Sequence, residues 1–192
     1  MDNYHQTPAA FTDEATTANA DRTIYHITAR AKRWWNPDAP VTVTVTPTQV
    51  APKCIIHAGG GVMFDSPLEA GSAVTVTGQY FTAINKIAGA KSWSFDPAID
   101  MLDITSWDSP KGWKEFMPTL AGGSVNVERW WLDEFFLLYL TERCLTGLEL
   151  RVTDEEVYYA YGYLTGDSIK RATEGAIEES LNWQISGAVQ YL

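Results

Sequence analysis

Val41-Thr42-Val43-Thr44-Val45-Thr46 alternates apolar and polar without a fault, placing three valines on one face and three threonines on the other. β-branched residues at a period of two suit a pleated strand with one buried and one wetted face, and they crowd a helix. Upstream, Thr23-Ile24-Tyr25-His26-Ile27-Thr28-Ala29-Arg30 repeats the alternation. Downstream, Cys54-Ile55-Ile56-His57, then Gly59-Gly60-Gly61, then Val62-Met63-Phe64 reads as strand, permissive turn, strand. After a turn at Glu69-Ala70-Gly71, Ala73 to Phe81 forms another strand. Pro37, Pro40 and Pro47 fall in the connections, where a missing N–H breaks no ladder. The N-terminal half is expected to be all β.

Residues 1–20 lack that period. Thr7-Pro8-Ala9-Ala10 and Thr16-Thr17-Ala18-Asn19-Ala20 are small and polar, and such a segment buries too little apolar surface to offset its own ordering entropy. It is read as an extended N-terminal arm held by a neighbouring copy of the chain, with Pro8 and Phe11 as its contacts. Residues 21–192 are read as a single β domain.

In the second half, the strand Lys91-Ser92-Trp93-Ser94-Phe95 leads into a long irregular stretch, Asp96 to Gly123, with three prolines. A loop of that length in a compact domain has a function or hides a short element. A helix comes next: Asp133 can cap it, Phe135, Leu138 and Tyr139 share a face, Arg143 suits the C-terminal dipole, and Gly147 can take the left-handed closing conformation. Strands around Leu148 to Val152, Val157 to Leu164 and Ile177 to Ile185 close the chain, with Asp154-Glu155-Glu156 as a solvated hairpin tip. In the last strand Leu181, Trp183 and Ile185 face one way and Glu178, Ser180, Asn182 and Gln184 the other.

The 192 residues carry 14 Lys and Arg against 24 Asp and Glu, a formal charge of −10, which argues against nucleic-acid binding through a basic face. The charge is uneven. Residues 1–90 hold 6 basic and 7 acidic groups, whereas residues 91–192 hold 8 and 17, so the negative field belongs to the second half. Cys54 and Cys144 lie far apart without a C-x-x-C partner and are read as free, buried thiols. No apolar run reaches the roughly 18 residues a membrane span needs, and Met1-Asp2-Asn3-Tyr4-His5 lacks the basic and apolar regions of a signal peptide. The expectation is a soluble chain made in a reducing cytoplasm, with no membrane insertion. Eight tryptophans, at 34, 35, 93, 107, 113, 130, 131 and 183, serve as core anchors or as subunit-interface anchors.

Catalytic and cofactor signatures do not occur. His5, His26 and His57 have no H-x-x-x-H spacing, Cys54 and His57 point to opposite faces of a strand, and Gly59-Gly60-Gly61 lacks the Gly-Lys-Ser/Thr of a phosphate cradle. Asp96, Asp100 and Asp103 lack the glycine and distal glutamate of a helix-loop-helix calcium loop. No enzyme activity, catalytic residue, metal site or cofactor is expected.

One pattern is more specific. Trp93, Phe95 and Asp96, then Leu102-Asp103-Ile104-Thr105-Ser106, then Gly112-Trp113-Lys114-Glu115-Phe116-Met117-Pro118-Thr119-Leu120-Ala121-Gly122-Gly123-Ser124-Val125 resembles the major tail tube proteins of long-tailed, non-contractile bacteriophages. The order of elements beyond Val125 is similar too: a helix, a hairpin ending in Tyr159, Tyr161-Gly162-Tyr163-Leu164, and a last strand closing as Trp183-Gln184-Ile185-Ser186-Gly187-Ala188-Val189. The likeness spans about residues 85–192 and does not extend to residues 21–80.

The resemblance implies a mainly β fold, a β-sandwich or barrel with one flanking α-helix, assembled as hexameric rings that stack into a tube through which DNA passes without specific binding. It implies Asp103, Ile104, Thr105, Ser106, Trp107 and Trp113 as the inter-ring loop. The wetted face of Glu178, Ser180, Asn182 and Gln184 is the lumen candidate. Implied partners are further copies of the chain, the tape measure, the tail terminator and the distal tail protein, in a virion tail assembled in the host bacterial cytoplasm. Two alternatives stand beside it: a tail terminator or head-tail connector ring, and a carbohydrate-binding β-sandwich that uses exposed tryptophans as sugar platforms.

Overall fold

The computed structural model describes residues 7–82, 87, 89–106, 113–153, 156–171 and 175–192. Among these residues the chain is mainly β, with twelve strands and one α-helix, as the period-two patterning predicts. Where the sequence reading has one domain over 21–192, the chain divides into two compact units. Period-two patterning locates strands but carries no information on which of them share a core.

The first unit comprises Met1–Lys86, Thr146–Tyr161 and Ala188–Leu192. Its sheet is built from β1 (Ala9–Ala18), β2 (Ile24–Ile27), β3 (Thr42–Thr46), β4 (Cys54–Ile56), β5 (Gly61–Met63) and β6 (Ala73–Tyr80) in the order β3-β6-β1-β2-β5-β4, every neighbouring pair antiparallel. In β3 the threonines are exposed and Val45 is buried, so the alternation of valine and threonine does set the face. Val45 joins Phe11, Tyr25, Ile27, Trp35, Val62, Phe64, Val74 and Val76 in one hydrophobic cluster.

The expected arm is not an arm from Ala9 onward. β1 lies between β6 and β2, pairing with both, and Phe11 is only 4% exposed in that cluster. Its alternation is hidden because the register shifts between Phe11 and Glu14, where Asp13 takes a left-handed φ of 49°, and each such slip moves the following side chains to the other face. Pro8 is half-buried beside it.

The same unit holds most of β9 (Leu145–Arg151), the beginning of β10 (Val157–Lys170) and β12 (Gln190–Tyr191), with Tyr158 opposite Tyr191. Trp34 packs on Tyr159 and Tyr161 at centroid distances of 5.7 and 5.4 Å, and the Tyr161 hydroxyl donates to the Trp35 carbonyl at 2.8 Å. Gly147 lies in β9, not at the end of a helix. A Cβ there would come within 2.7 Å of the Trp34 ring, so this glycine allows close packing. Asp154 and Glu155 of the expected hairpin tip lie outside the described residues. Cys54, expected to be buried, is exposed, and Cys144 is buried; neither is in a disulfide.

The second unit comprises Ile87–Leu145 and Gly162–Gly187. β7 (Ala90–Asp103) and β8 (Phe116–Trp130) form a long antiparallel hairpin, paired from Ala90 opposite Arg129 to Asp103 opposite Phe116. The stretch read as irregular, Asp96 to Gly123, is thus largely strand. Two features mask it. Pro118 sits beside a register irregularity and Pro97 on a strand at the sheet edge, both places where proline is tolerated. Gly123 has no Cβ because Phe95 covers it at 3.0 Å.

β8 pairs with β11 (Glu178–Ile185), and β11 with the second half of β10, which runs to Lys170 rather than Leu164. The helix α1 (Phe135–Glu142) forms where expected, with Asp133 Oδ1 accepting from the Phe135 N–H at 3.3 Å. It closes on Arg143, at a left-handed φ of 54°, instead of Gly147. Phe136 anchors it edge-on to Trp183 at 5.9 Å. No described helix is long and apolar enough to cross a membrane.

Candidate assembly and polar-face surfaces

Both candidate surfaces lie in the second unit and are set by its strand pairing. Directly opposed residues of an antiparallel ladder share a face. Glu178, Ser180, Asn182 and Gln184 of β11 oppose Trp130, Glu128, Asn126 and Ser124 of β8, and beyond them Ser92, Ser94 and Asp96 of β7 oppose Glu128, Asn126 and Ser124. The alternation expected for β11 is present, with Leu181, Trp183 and Ile185 buried and the polar set half-buried or exposed. Side chains crosslink this face: Asn126 Nδ2 donates to Ser180 Oγ at 3.0 Å and to Asn182 Oδ1 at 2.8 Å, and Ser92 Oγ donates to Glu128 Oε2 at 3.0 Å. Gln184 Nε2 donates to the Gly123 carbonyl at 2.9 Å. A shallow depression beside it is lined by Asp96, Asp100, Gly122, Ser124 and Gln184.

This face is hydroxyl- and amide-rich with a carboxylate excess. Lys91 Nζ donates to Glu178 at 2.7 Å and lies 4.0 Å from the Trp130 ring centroid. The Lys91 ammonium holds the Glu178 carboxyl below its ordinary value. Glu128, Asn126, Ser92 and Ser94 were not singled out from sequence, although Asn126 and Glu128 alternate with Val125 and Val127 and could have been. Glu179, next to Glu178, points the other way and is buried with Arg129.

The second surface is the outer part of the β7–β8 hairpin. Ile99, Met101 and Phe116 are exposed on one side, Leu102 and Met117 are opposed on the other, and Leu120 is 76% exposed at the register irregularity. Beyond the last pair the connection closes on itself: Ile104 N–H donates to the Glu115 carbonyl at 2.9 Å, and Glu115 N–H to Thr105 Oγ1 at 2.9 Å. Asp103 Oδ1 accepts from the Thr105 N–H at 3.0 Å, and hydrogen bonding from Thr105 holds its carboxyl below the usual range. Asp103, Ile104, Thr105 and Ser106 are thus together at the hairpin end, all exposed, and Trp113 is 74% exposed. Trp107 lies outside the described residues. Trp93, Trp130 and Trp131 are partly exposed, whereas Trp34, Trp35 and Trp183 are core.

Phe11, expected as an arm contact, is instead inside the core of the first unit, and Pro8 beside it is half-buried. His26 and His57 are half-buried, and burial lowers both imidazoles below their ordinary value. Among the described residues no group of His, Cys, Asp or Glu could hold a metal ion.

No family model matches the chain, and no curated protein matches it. Solved structures similar to it include two gene transfer agent particles. One is the tail of an empty gene transfer agent particle computed with helical refinement and C6 symmetry, at 16% identity and a TM-score of 0.49 over 56% of this chain and 85% of that one. The other is the virion of a native gene transfer agent particle, at 16% identity and 0.49 over 56% and 88%.

Proposed function

We propose that the chain is a structural subunit of a phage-like tail, the major tail tube protein, which assembles into stacked hexameric rings around a DNA-conducting lumen. The observation that carries this reading is the hairpin that is apolar on both sides and tipped by Trp113. A strand pair with one apolar face needs one covering surface; apolar groups on both faces need two, as when the hairpin is inserted between neighbouring copies. The sequence resemblance over residues 85–192 supports it, because that stretch contains the whole second unit.

In this reading the hairpin end, Asp103 to Ser106 with Trp107 and Trp113, stacks ring on ring. The face of Glu178, Ser180, Asn182 and Gln184 lines the lumen, where carboxylates repel phosphate and hydroxyls offer only weak contacts. Six copies at −10 each carry −60, the reverse of what DNA adhesion requires. Tape measure, tail terminator and distal tail protein are the other partners, in a virion tail assembled in the bacterial cytoplasm, without enzyme chemistry.

Negative-stain electron microscopy with mass determination, over a range of concentrations and with tail tips added as initiator, tests the proposal. Stacked rings or hollow tubes are expected. Isolated rings that never stack would favour a terminator or connector, and a monomer under every condition would overturn assembly and leave glycan binding by the exposed tryptophans to be measured.

A further inference from the structure

Two buried charged residues and the half-buried Asp167 in the second unit do not form a closed hydrogen-bond set. Arg129 of β8 and Glu179 of β11 are direct cross-strand partners, 3% and 2% exposed, and the Arg129 Nε donates to Glu179 Oε2. Arg129 Nη2 also reaches the Asp133 carbonyl and Oδ1, each at 3.4 Å, and the guanidinium stacks 4.5 Å from the Phe136 ring centroid. Asp167 of β10 stands diagonal to Glu179, since Ile169 opposes Glu179 and Asp167 opposes Leu181. Both side chains therefore stand on one face of the sheet as diagonal cross-strand neighbours, a spacing that long side chains can bridge.

Yet Glu179 Oε1 and Asp167 Oδ1 are both shut off from solvent, and neither has a hydrogen-bond partner. Two ionised carboxylates cannot bond to one another, because both only accept, and as buried anions they repel. A single proton converts the two orphan acceptors into a donor and an acceptor.

We propose that Glu179 keeps its proton at neutral pH and donates it in a hydrogen bond to Asp167, making Arg129, Glu179 and Asp167 a proton-dependent clasp across β8, β11 and β10. One guanidinium then faces one negative charge, with the more exposed Asp133 at its rim. The charged and titratable groups facing Glu179 are Arg129 from β8, Asp167 from β10 and, through Arg129, Asp133 from the segment before α1; α1 itself contributes the Phe136 ring. Burial raises the Glu179 carboxyl above its ordinary value, Arg129 opposes the rise and Asp167 adds to it. A carboxyl with a raised folded value keeps its proton in the folded state after the unfolded chain has lost it, so its contribution is full in acid and is lost as pH rises. The folding constant falls by up to about tenfold per pH unit between the unfolded and folded values.

The clasp is independent of what the protein assembles into, and the experiment uses the intact chain. Infrared spectroscopy in D2O at neutral pD should show the carbonyl band of a protonated carboxyl in wild type, absent from Glu179→Gln and from Asp167→Asn. Urea unfolding from about pH 5 to 8 should show wild type losing about tenfold or more in folding constant relative to Glu179→Gln, whose amide donates at every pH. No protonated band in wild type, or equal pH slopes in wild type and Glu179→Gln, overturns the clasp. Should Glu179→Gln fail to fold, the wild-type band and its loss in Asp167→Asn decide.

Discussion

Phe11 shows how a single side chain changes the meaning of a segment. In a polar, aperiodic stretch it reads as the anchor of an arm, but its ring packs 5.7 Å from Trp35 and 6.0 Å from Tyr80, inside the first unit. Phe11→Ala is therefore expected to cost about 3–5 kcal/mol in a urea titration, the range for emptying a buried phenylalanine site. A peripheral arm would lose almost nothing in the same titration, so a change under about 0.5 kcal/mol would restore the arm reading. The local sequence could not have revealed this, because the left-handed Asp13 and the register slip break the alternation by which strands are recognised. The inward side chain of Glu179 was equally hidden. Within β11, Glu178 and Glu179 are chemically identical, and only the parity of the strand separates a solvated carboxylate from one buried against Arg129.

At the scale of elements, strands with clean alternation and tight turns, β3 to β6 and β11, were legible, and so was α1 from its cap and apolar spacing. The β7–β8 hairpin was not. Its two prolines and paired glycines read as loop punctuation, yet they occupy the edge, the register irregularity and a close approach to Phe95, the sites where a ladder accepts them. The candidate site divides the same way: the outward set on β11 is given by period two, whereas its neighbours Ser92, Ser94, Asn126 and Glu128 join it only through strand pairing. The hairpin end then separates folding from assembly. Trp113 is exposed, so Trp113→Ala should leave stability within about 0.5 kcal/mol of wild type. If the tip anchors one copy on the next, the same substitution should raise the concentration needed for polymerisation by about tenfold or more, as loss of an aromatic interface anchor does. Light scattering against concentration reads this, and an unchanged threshold would remove Trp113 from the contact.

Over the whole molecule, three of the 17 acidic residues of 91–192, Asp96, Glu128 and Glu178, stand together on the polar face. Surface charge of one sign contributes little to folding and much to what may approach. Reversing Glu178 and Glu128 to lysine tests whether that field serves DNA passage. Both carboxylates are exposed, so the double variant should fold within about 1 kcal/mol of wild type and, under the proposed function, assemble as wild type does. Each reversal moves a chain by two charges, and in the proposed ring every copy would repeat it at the same height, turning a repelling band into one that gains affinity by releasing counterions from DNA. Ejection, monitored by dye binding to released DNA, should slow at low salt and recover as salt screens the lysines. Slowing that ignores salt would point to obstruction by the longer side chains instead of charge, and unchanged ejection at every salt concentration would place this face outside the lumen.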